Sequence, residues 1–424
     1  MGATESLREH YARKQRDRQA LDYPFSTPEV ILTKPVQVES VQTESVQAGP
    51  AKAKIAQNKS VDEAILLGKQ LIEVARGVFW LRMPMPMALD HINVYLLQDD
   101  DGWYLVDTGL NTSHVRAIWQ RVGAEVFNHL PVKGIICTHF HYDHASLSSW
   151  LMEYFSAPLY MTYGEYFTQR ALAASRQDVG SEQQKQFYLS CGMDKKLVNE
   201  MLTACRDDPF MGHYPNRFIR IREHDVFHIQ GRKWQVVIGE GHSPEHACLY
   251  CEQDALLIAG DQLLPEISSN VLVSDVEPES DPLSNWFSSL DKLSQLKADT
   301  LVLPSHGPVF KNLHARVDQL REHHHDQLDL VRSKASLLSE AYKGNSEAYK
   351  GNTNRNGFTA YQALNWMFDR KLSPIESMLA QGETLAHLNW MHWQGELEYS
   401  DEPDGIRRYR FTKTNTIRNT GEGS

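Results

Sequence analysis

The heptapeptide Thr138-His139-Phe140-His141-Tyr142-Asp143-His144 directly follows the apolar run Gly-Ile-Ile-Cys and gathers three imidazoles and a carboxylate within six residues. In an extended chain, residues two apart point the same way, so His139 and His141 can grip one ion. Asp143 and His144 then follow on the turn at the head of the next helix. Imidazole and carboxylate donors suit a borderline divalent metal, zinc in the first place, with iron or manganese also admissible. Three further donors recur downstream, each at the end of an apolar strand: His242 in GEGHSPEH after WQVVI, Asp261 in AGDQ after ALLI, and His306 in PSHGP after TLVL. A strand end followed by a Gly- or Pro-rich turn displays side chains on a rigid support. Seven donors divide naturally between two ions with one shared carboxylate.

The elements that must carry these residues are visible as short β-rich runs from Val78 onward: VFWLRM, INVYLLQ, WYLVDTG and KGIICTH, each bounded by Gly, Asp, Asn or Pro. Helical patterns interrupt them at Ser146 to Phe155 and Pro282 to Leu296. Strands mixed with helices over this length predict an α/β domain with layered sheets. Between residues 164 and 216 the strand texture gives way to two or three helices, an insertion. A long helix is expected from Asn312 to Leu338, and after it Ser-Glu-Ala-Tyr-Lys-Gly-Asn occurs twice in tandem over 339–352, a surface connection. Short helices at Thr359 to Arg370, Ile375 to Gly382 and Glu383 to Gln394, then a hairpin across SDEPDG, predict a winged-helix-like module. The expected organisation is a disordered polar tail over 1–60, a catalytic domain over 61–320, a C-terminal domain over 321–412 and a polar tail over 413–424. The first tail repeats Glu-Ser-Val-Gln and is too polar to bury enough surface to offset its ordering entropy.

The order HxHxDH, third His, Asp, final His resembles the metallo-β-lactamase superfamily, from about Val78 to Leu313. Asp107 in VDTG matches that family's early structural aspartate. The resemblance implies an αββα four-layer sandwich and a ligand set: His139, His141 and His242 on the first ion, Asp143, His144 and His306 on the second, Asp261 bridging. The presence of both His144 and Asp261 looks like the glyoxalase II and lactonase branch, which points away from antibiotic hydrolysis. Ser268-Ser269-Asn270 lies where that branch would place a substrate loop. The helix AHLNWM (Ala386 to Met391) resembles the helical extension of a β-lactamase-like endoribonuclease. Two ions about 3.5–4 Å apart would lower the pKa of a bridging water, and the hydroxide would attack a thioester, ester or lactone carbonyl. Asp143 would orient that nucleophile and shuttle a proton.

Composition narrows the partners. The balance of 43 Lys+Arg against 54 Asp+Glu gives a net charge of -11, which argues for a small-molecule substrate and against nucleic acid. No apolar run reaches the roughly 18 residues of a membrane helix. Five cysteines, an odd number in a long chain, argue for a reducing, cytoplasmic compartment. The chain is compatible with a homodimer. Cys248-x-x-Cys251 reads as a packed strand, His246 as a neighbour of the metals rather than a ligand, and Arg407, Arg408 and Arg410 as a solvated hairpin. His323-His324-His325 reads as a solvated helix face, because consecutive helical residues fan out by about 100°. Two rivals stand beside the hydrolase: a metal-dependent nuclease, and a binding or regulatory protein that keeps its metals, against which the complete ligand set argues.

Overall fold

Strands β3 (His91–Asp99) and β5 (Val132–Ile136) are almost wholly buried, which requires layers on both faces of their sheet. In the computed structural model, which describes residues 19–30, 70–87, 89–174, 180–206, 214–344 and 357–412, they lie inside a seven-stranded sheet. That sheet runs β1 (Leu71–Ala75), β2 (Val78–Pro84), β3, β4 (Gly102–Val106), β5, β6 (Leu159–Met161) and β7 (Ile219–Arg220) in spatial order. It is antiparallel through β4 and parallel from β4 to β7. A second sheet of five strands has the order β12 (Leu301–Pro304), β11 (Leu256–Gly260), β10 (His246–Cys251), β9 (Arg232–Gly239) and β8 (Val226–Ile229).

Apolar side chains of the two sheets meet in one core, where Trp80, Tyr95, Val106 and Ile136 join Trp234, Val236, Leu249, Ile258 and Leu303. The other face of the first sheet packs on α1 (Ser113–Glu125) through Val115, Ile118, Trp119 and Val122, and on α3 (Ser148–Phe155) through Leu151. The second sheet packs on α7 (Pro282–Leu293) and α8 (Leu313–Gly344) through Trp286, Leu290, Val317 and Leu320. Helix, sheet, sheet, helix is the four-layer sandwich expected from the sequence. Between α1 and α3 lies the single-turn α2 (Tyr142–Ala145).

The insertion forms α4 (Tyr163–Ala174), α5 (Glu182–Ser190) and α6 (Lys195–Arg206). After α8 come α9 (Ala360–Met367), α10 (Pro374–Trp393) and a hairpin of β13 (Leu397–Asp401) with β14 (Arg407–Phe411), the winged-helix-like arrangement. The Thr359 and Ser373 capping boxes start α9 and α10.

Three expectations are corrected. Where two helices were expected from Ile375 to Gln394, Pro374–Trp393 is one helix of 20 residues. Gly382 is no breaker there; a Cβ at that position would stand 2.7 Å from Leu272 Cβ and 3.0 Å from Val273 O, so glycine permits close approach of a loop. Part of the supposed polar tail is docked: Leu21 is 6% exposed in the core, the Lys311 backbone N–H donates to Asp22 O at 2.8 Å in an antiparallel bridge, and Asn312 Nδ2 donates to Ala20 O at 2.7 Å. Tyr23 and Phe25 give this stretch the apolar surface that the repeats lack. The rest of the 1–60 tail, the 413–424 tail and residues 345–352 of the tandem heptapeptide lie outside the described residues. The third correction concerns His324, which is fully buried rather than solvated.

Candidate metal centre

Each of the seven predicted donors sits where a strand of the sandwich ends. His139 follows β5, His141 caps α2, and Asp143 and His144 occupy its single turn. His242 lies between β9 and β10, Asp261 directly follows β11, and His306 follows β12. The fold brings all seven together in two clusters: His139, His141, His242 and Asp261, and beside them Asp143, His144 and His306. In the first, His139 Nε2 stands 2.7 Å from His141 Nδ1 and 3.3 Å from His242 Nε2. In the second, Asp143 Oδ2 stands 3.4 Å from His144 Nε2 and 3.3 Å from His306 Nε2.

Asp261 joins the clusters. Its Oδ2 is 3.5 Å from His242 Nε2 and 3.9 Å from His139 Nε2, and its Oδ1 is 3.5 Å from both His144 Nε2 and His306 Nε2. One oxygen therefore faces each set.

The ring nitrogens turned away from the centre are engaged, and this fixes the tautomers. His144 Nδ1 donates to Asp107 Oδ2 at 2.8 Å, His242 Nδ1 to the Asn270 carbonyl at 2.7 Å, and His306 Nδ1 to the His91 carbonyl at 2.9 Å. Thr138 Oγ1 donates to Asp107 and accepts from His139 Nδ1 at 3.1 Å. Four Nε2 lone pairs thus point inward, each oriented by an acceptor behind it, the arrangement used to hold imidazole ligands. Burial, reinforced by neighbouring histidines, holds His139 well below its ordinary pKa and brings His141 down to about 3, so both rings stay neutral. Burial also works against charge on His144 and His306, but there the facing carboxylates prevail and raise both. The second cluster thus calls for positive charge at its centre. His144 Nε2 and Asp261 Oδ1 are buried with no hydrogen-bond partner, as metal-seeking atoms would be. The donor set fits two divalent ions.

Further residues support the donors; sequence reasoning names His246, Asp107 and Ser268-Ser269-Asn270 and misses Glu165. Glu165, fully buried at the start of α4, accepts from Phe140 N at 2.9 Å, Ser243 Oγ at 2.6 Å and Glu245 N at 2.7 Å, clipping the loop of His139 and His141 to that of His242. Burial outweighs these donors and pushes its carboxyl up to about 7. His246 Nε2 accepts from Asp261 N at 3.0 Å, so it holds the backbone that carries the Asp261 carboxylate. Asp107 adopts a left-handed φ of 65° and receives Thr138 N at 2.8 Å besides His144. The segment Ser268-Ser269-Asn270 supports ligands: Ser269 Oγ donates to Asp261 O, and the Asn270 carbonyl accepts from His242 Nδ1. No spacing rule marks Glu165, whereas the VDTG resemblance singles out Asp107 and the place of His246 four residues after His242 puts it beside the metals.

Comparison with known proteins identifies the family. Residues 88–306 match the metallo-beta-lactamase superfamily model, and residues 351–412 match the metallo-beta-lactamase-like C-terminal domain. A solved beta-lactamase domain protein from Burkholderia ambifaria is 33% identical, with a TM-score of 0.73 over 94% of this chain and 100% of that one. A metallo-beta-lactamase family protein from Thermus thermophilus is 26% identical, with a TM-score of 0.63 over 80% of this chain and all of that one. "Probable metallo-hydrolase YqjP" of Bacillus subtilis is 26% identical over 76% of this chain and 97% of its own length. An atrochrysone carboxyl ACP thioesterase of Aspergillus fumigatus is 30% identical over 112 residues, 26% of this chain and 24% of that protein. With the family model spanning more than half of its length, the chain belongs to the metallo-beta-lactamase superfamily.

Proposed function

We propose that this protein is a dinuclear metallohydrolase that cleaves a thioester, ester or lactone. The observation that carries the reading is the Asp261 carboxylate, which offers one oxygen to each histidine cluster. His139, His141 and His242 would hold one ion, Asp143, His144 and His306 the other, and Asp261 both. Zinc fits these donors first, and iron or manganese also suit them. When bound, such a pair activates water near neutral pH and polarises a carbonyl oxygen.

The chain's own residues do the rest. Asp107, Asn270 and the His91 carbonyl keep the imidazoles in their ligating tautomers. Burial raises the Asp143 carboxyl, but its histidine neighbours overcome this and hold it well below the usual range. An ionised carboxylate in that place orients the attacking water and accepts its proton. Similarity to a protein named a metallo-hydrolase, and over a short stretch to a thioesterase, supports the reaction class.

The nuclease reading is weaker on a specific observation. Arg407, Arg408 and Arg410 are paired with Glu279 and Asp401, with Asp404, and with Glu402, so the late basic cluster is neutralised within the hairpin region. The test is a panel of thioesters, lactones, phosphodiesters and β-lactams, run on protein of measured metal content. Carbonyl hydrolysis that chelation abolishes and a divalent ion restores is expected. Turnover of phosphodiesters alone by the metal-replete protein would overturn the assignment.

A further inference from the structure

A second group of metal-type donors lies outside this centre, between the long helix α8 and helix α10. His323 and His324 come from α8 and Glu383 from α10, and one donor atom of each lies within 4.8 Å of the others. Adjacent helical residues diverge, so two neighbouring histidines rarely share an ion. Here the divergence is bridged by a donor from the facing helix, and the His323 and His324 rings stand 5.2 Å apart, centroid to centroid. His325 turns away and stacks on Phe287 at 5.2 Å.

The tautomer of His324 can be worked out. His387 Nδ1 donates to the Glu383 carbonyl at 2.8 Å, which leaves His387 Nε2 as an acceptor. That nitrogen faces His324 Nδ1 at 3.2 Å, so His324 Nδ1 must carry the proton. His324 Nε2 is then a lone pair, on a side chain with no exposed surface, and it has no hydrogen-bond partner. A buried acceptor without a donor is costly, and native proteins rarely leave one. The chain from the Glu383 carbonyl through His387 to His324 repeats the device of the main centre, where an outer hydrogen bond turns the inner nitrogen toward its ion. Burial, aided by His387, holds His324 well below its ordinary pKa, so its lone pair is available. The Glu383 carboxyl is pushed up to about 7 by burial. A cation would supply what both side chains lack.

We propose that His323, His324 and Glu383 form a further metal site, for a borderline divalent ion such as zinc, that ties α8 to α10. Two imidazoles and one carboxylate are the donors such ions prefer. The tie is structural rather than catalytic. It lies one residue from Gly382, whose carbonyl accepts from Val273 N at 3.1 Å, and so braces the loop that carries Asn270 behind His242.

The test compares full-length wild type with Glu383→Gln and with His323→Gln, both changes at half-buried positions. Each protein is stripped with chelator, equilibrated with excess zinc, desalted and analysed for metal per chain. Both variants are expected to hold one equivalent less than wild type, and to show a smaller zinc-induced rise in Tm while melting like wild type in chelator. Equal metal content in all three proteins would overturn the proposal, and so would an equal zinc-induced rise in Tm. The readout is a difference between proteins, so it is independent of how many ions the main centre holds. Asp261→Ala changes that centre separately, so failure of one reading does not imply failure of the other.

Discussion

Replacing Glu165 by Gln removes one negative oxygen and nothing else in volume, yet the geometry predicts a large effect. Oε1 accepts from Ser243 Oγ and Glu245 N, and Oε2 accepts from Phe140 N, all inside the protein. An amide offers a carbonyl to one side only. If the oxygen faces Ser243 and Glu245, the NH2 meets the Phe140 N–H; in the flipped state it meets the Glu245 N–H. Either orientation leaves a backbone donor and an amide donor unpaired. Each buried group left unsatisfied costs about 1–3 kcal/mol, so the variant should lose roughly 2–6 kcal/mol of stability. Phe140 lies between His139 and His141, and Ser243 follows His242, so the first ion should bind about 10–100-fold more weakly. Burial raises the folded-state pKa of Glu165 from 4.5 to about 7. A raised pKa means a contribution that is complete below the unfolded value and is lost as pH rises through the folded one. Wild type should therefore shed roughly 3 kcal/mol between about pH 4.5 and pH 7.5 through this residue, and Glu165→Gln should lack that slope. Urea unfolding across pH, with metal titration by calorimetry, reads both effects. A variant with wild-type stability, slope and metal affinity would refute the clip.

Asp261→Ala should cost one ion and turnover, because bare divalent charges about 4 Å apart repel by several kcal/mol or more even at an effective dielectric near 20. His246→Ala should keep both ions with affinity or activity down about 10–100-fold, and elemental analysis of the pair distinguishes ligand from support. Asp107→Asn tolerates the left-handed backbone but removes the charge behind His144. It should weaken the second ion by about 10–100-fold in a competitive chelator titration. Leu21→Ala opens a gap in the core and should destabilise by about 2–5 kcal/mol in thermal or urea melts. An unchanged midpoint would return residues 19–30 to the status of a loose tail.

What the sequence determined by itself was local. His139, His141, Asp143 and His144 lie within six residues, and the extended chain followed by one helical turn fixes their directions whatever the rest of the fold does. His242, Asp261 and His306 were legible one by one because each sits at the end of an apolar strand. The strands and most helices showed in their periodicity for the same reason. Tertiary structure decided the rest. Which oxygen of Asp261 faces which cluster depends on how two sheets are stacked, and no spacing encodes that. Nothing in the sequence marks Glu165; its role comes from Phe140 and Glu245, 25 and 80 residues away in sequence, which donate to it. Gly382 reads as a helix break until Leu272 and Val273 press against it, and Leu21 as part of a polar tail until the core receives it. His324 reads as solvated until α10 covers it with His387. Side-chain direction along one element is set by backbone geometry over a few residues, so the sequence shows it. Burial and hydrogen-bond partnership are set by contacts between distant segments, and only the folded chain supplies them.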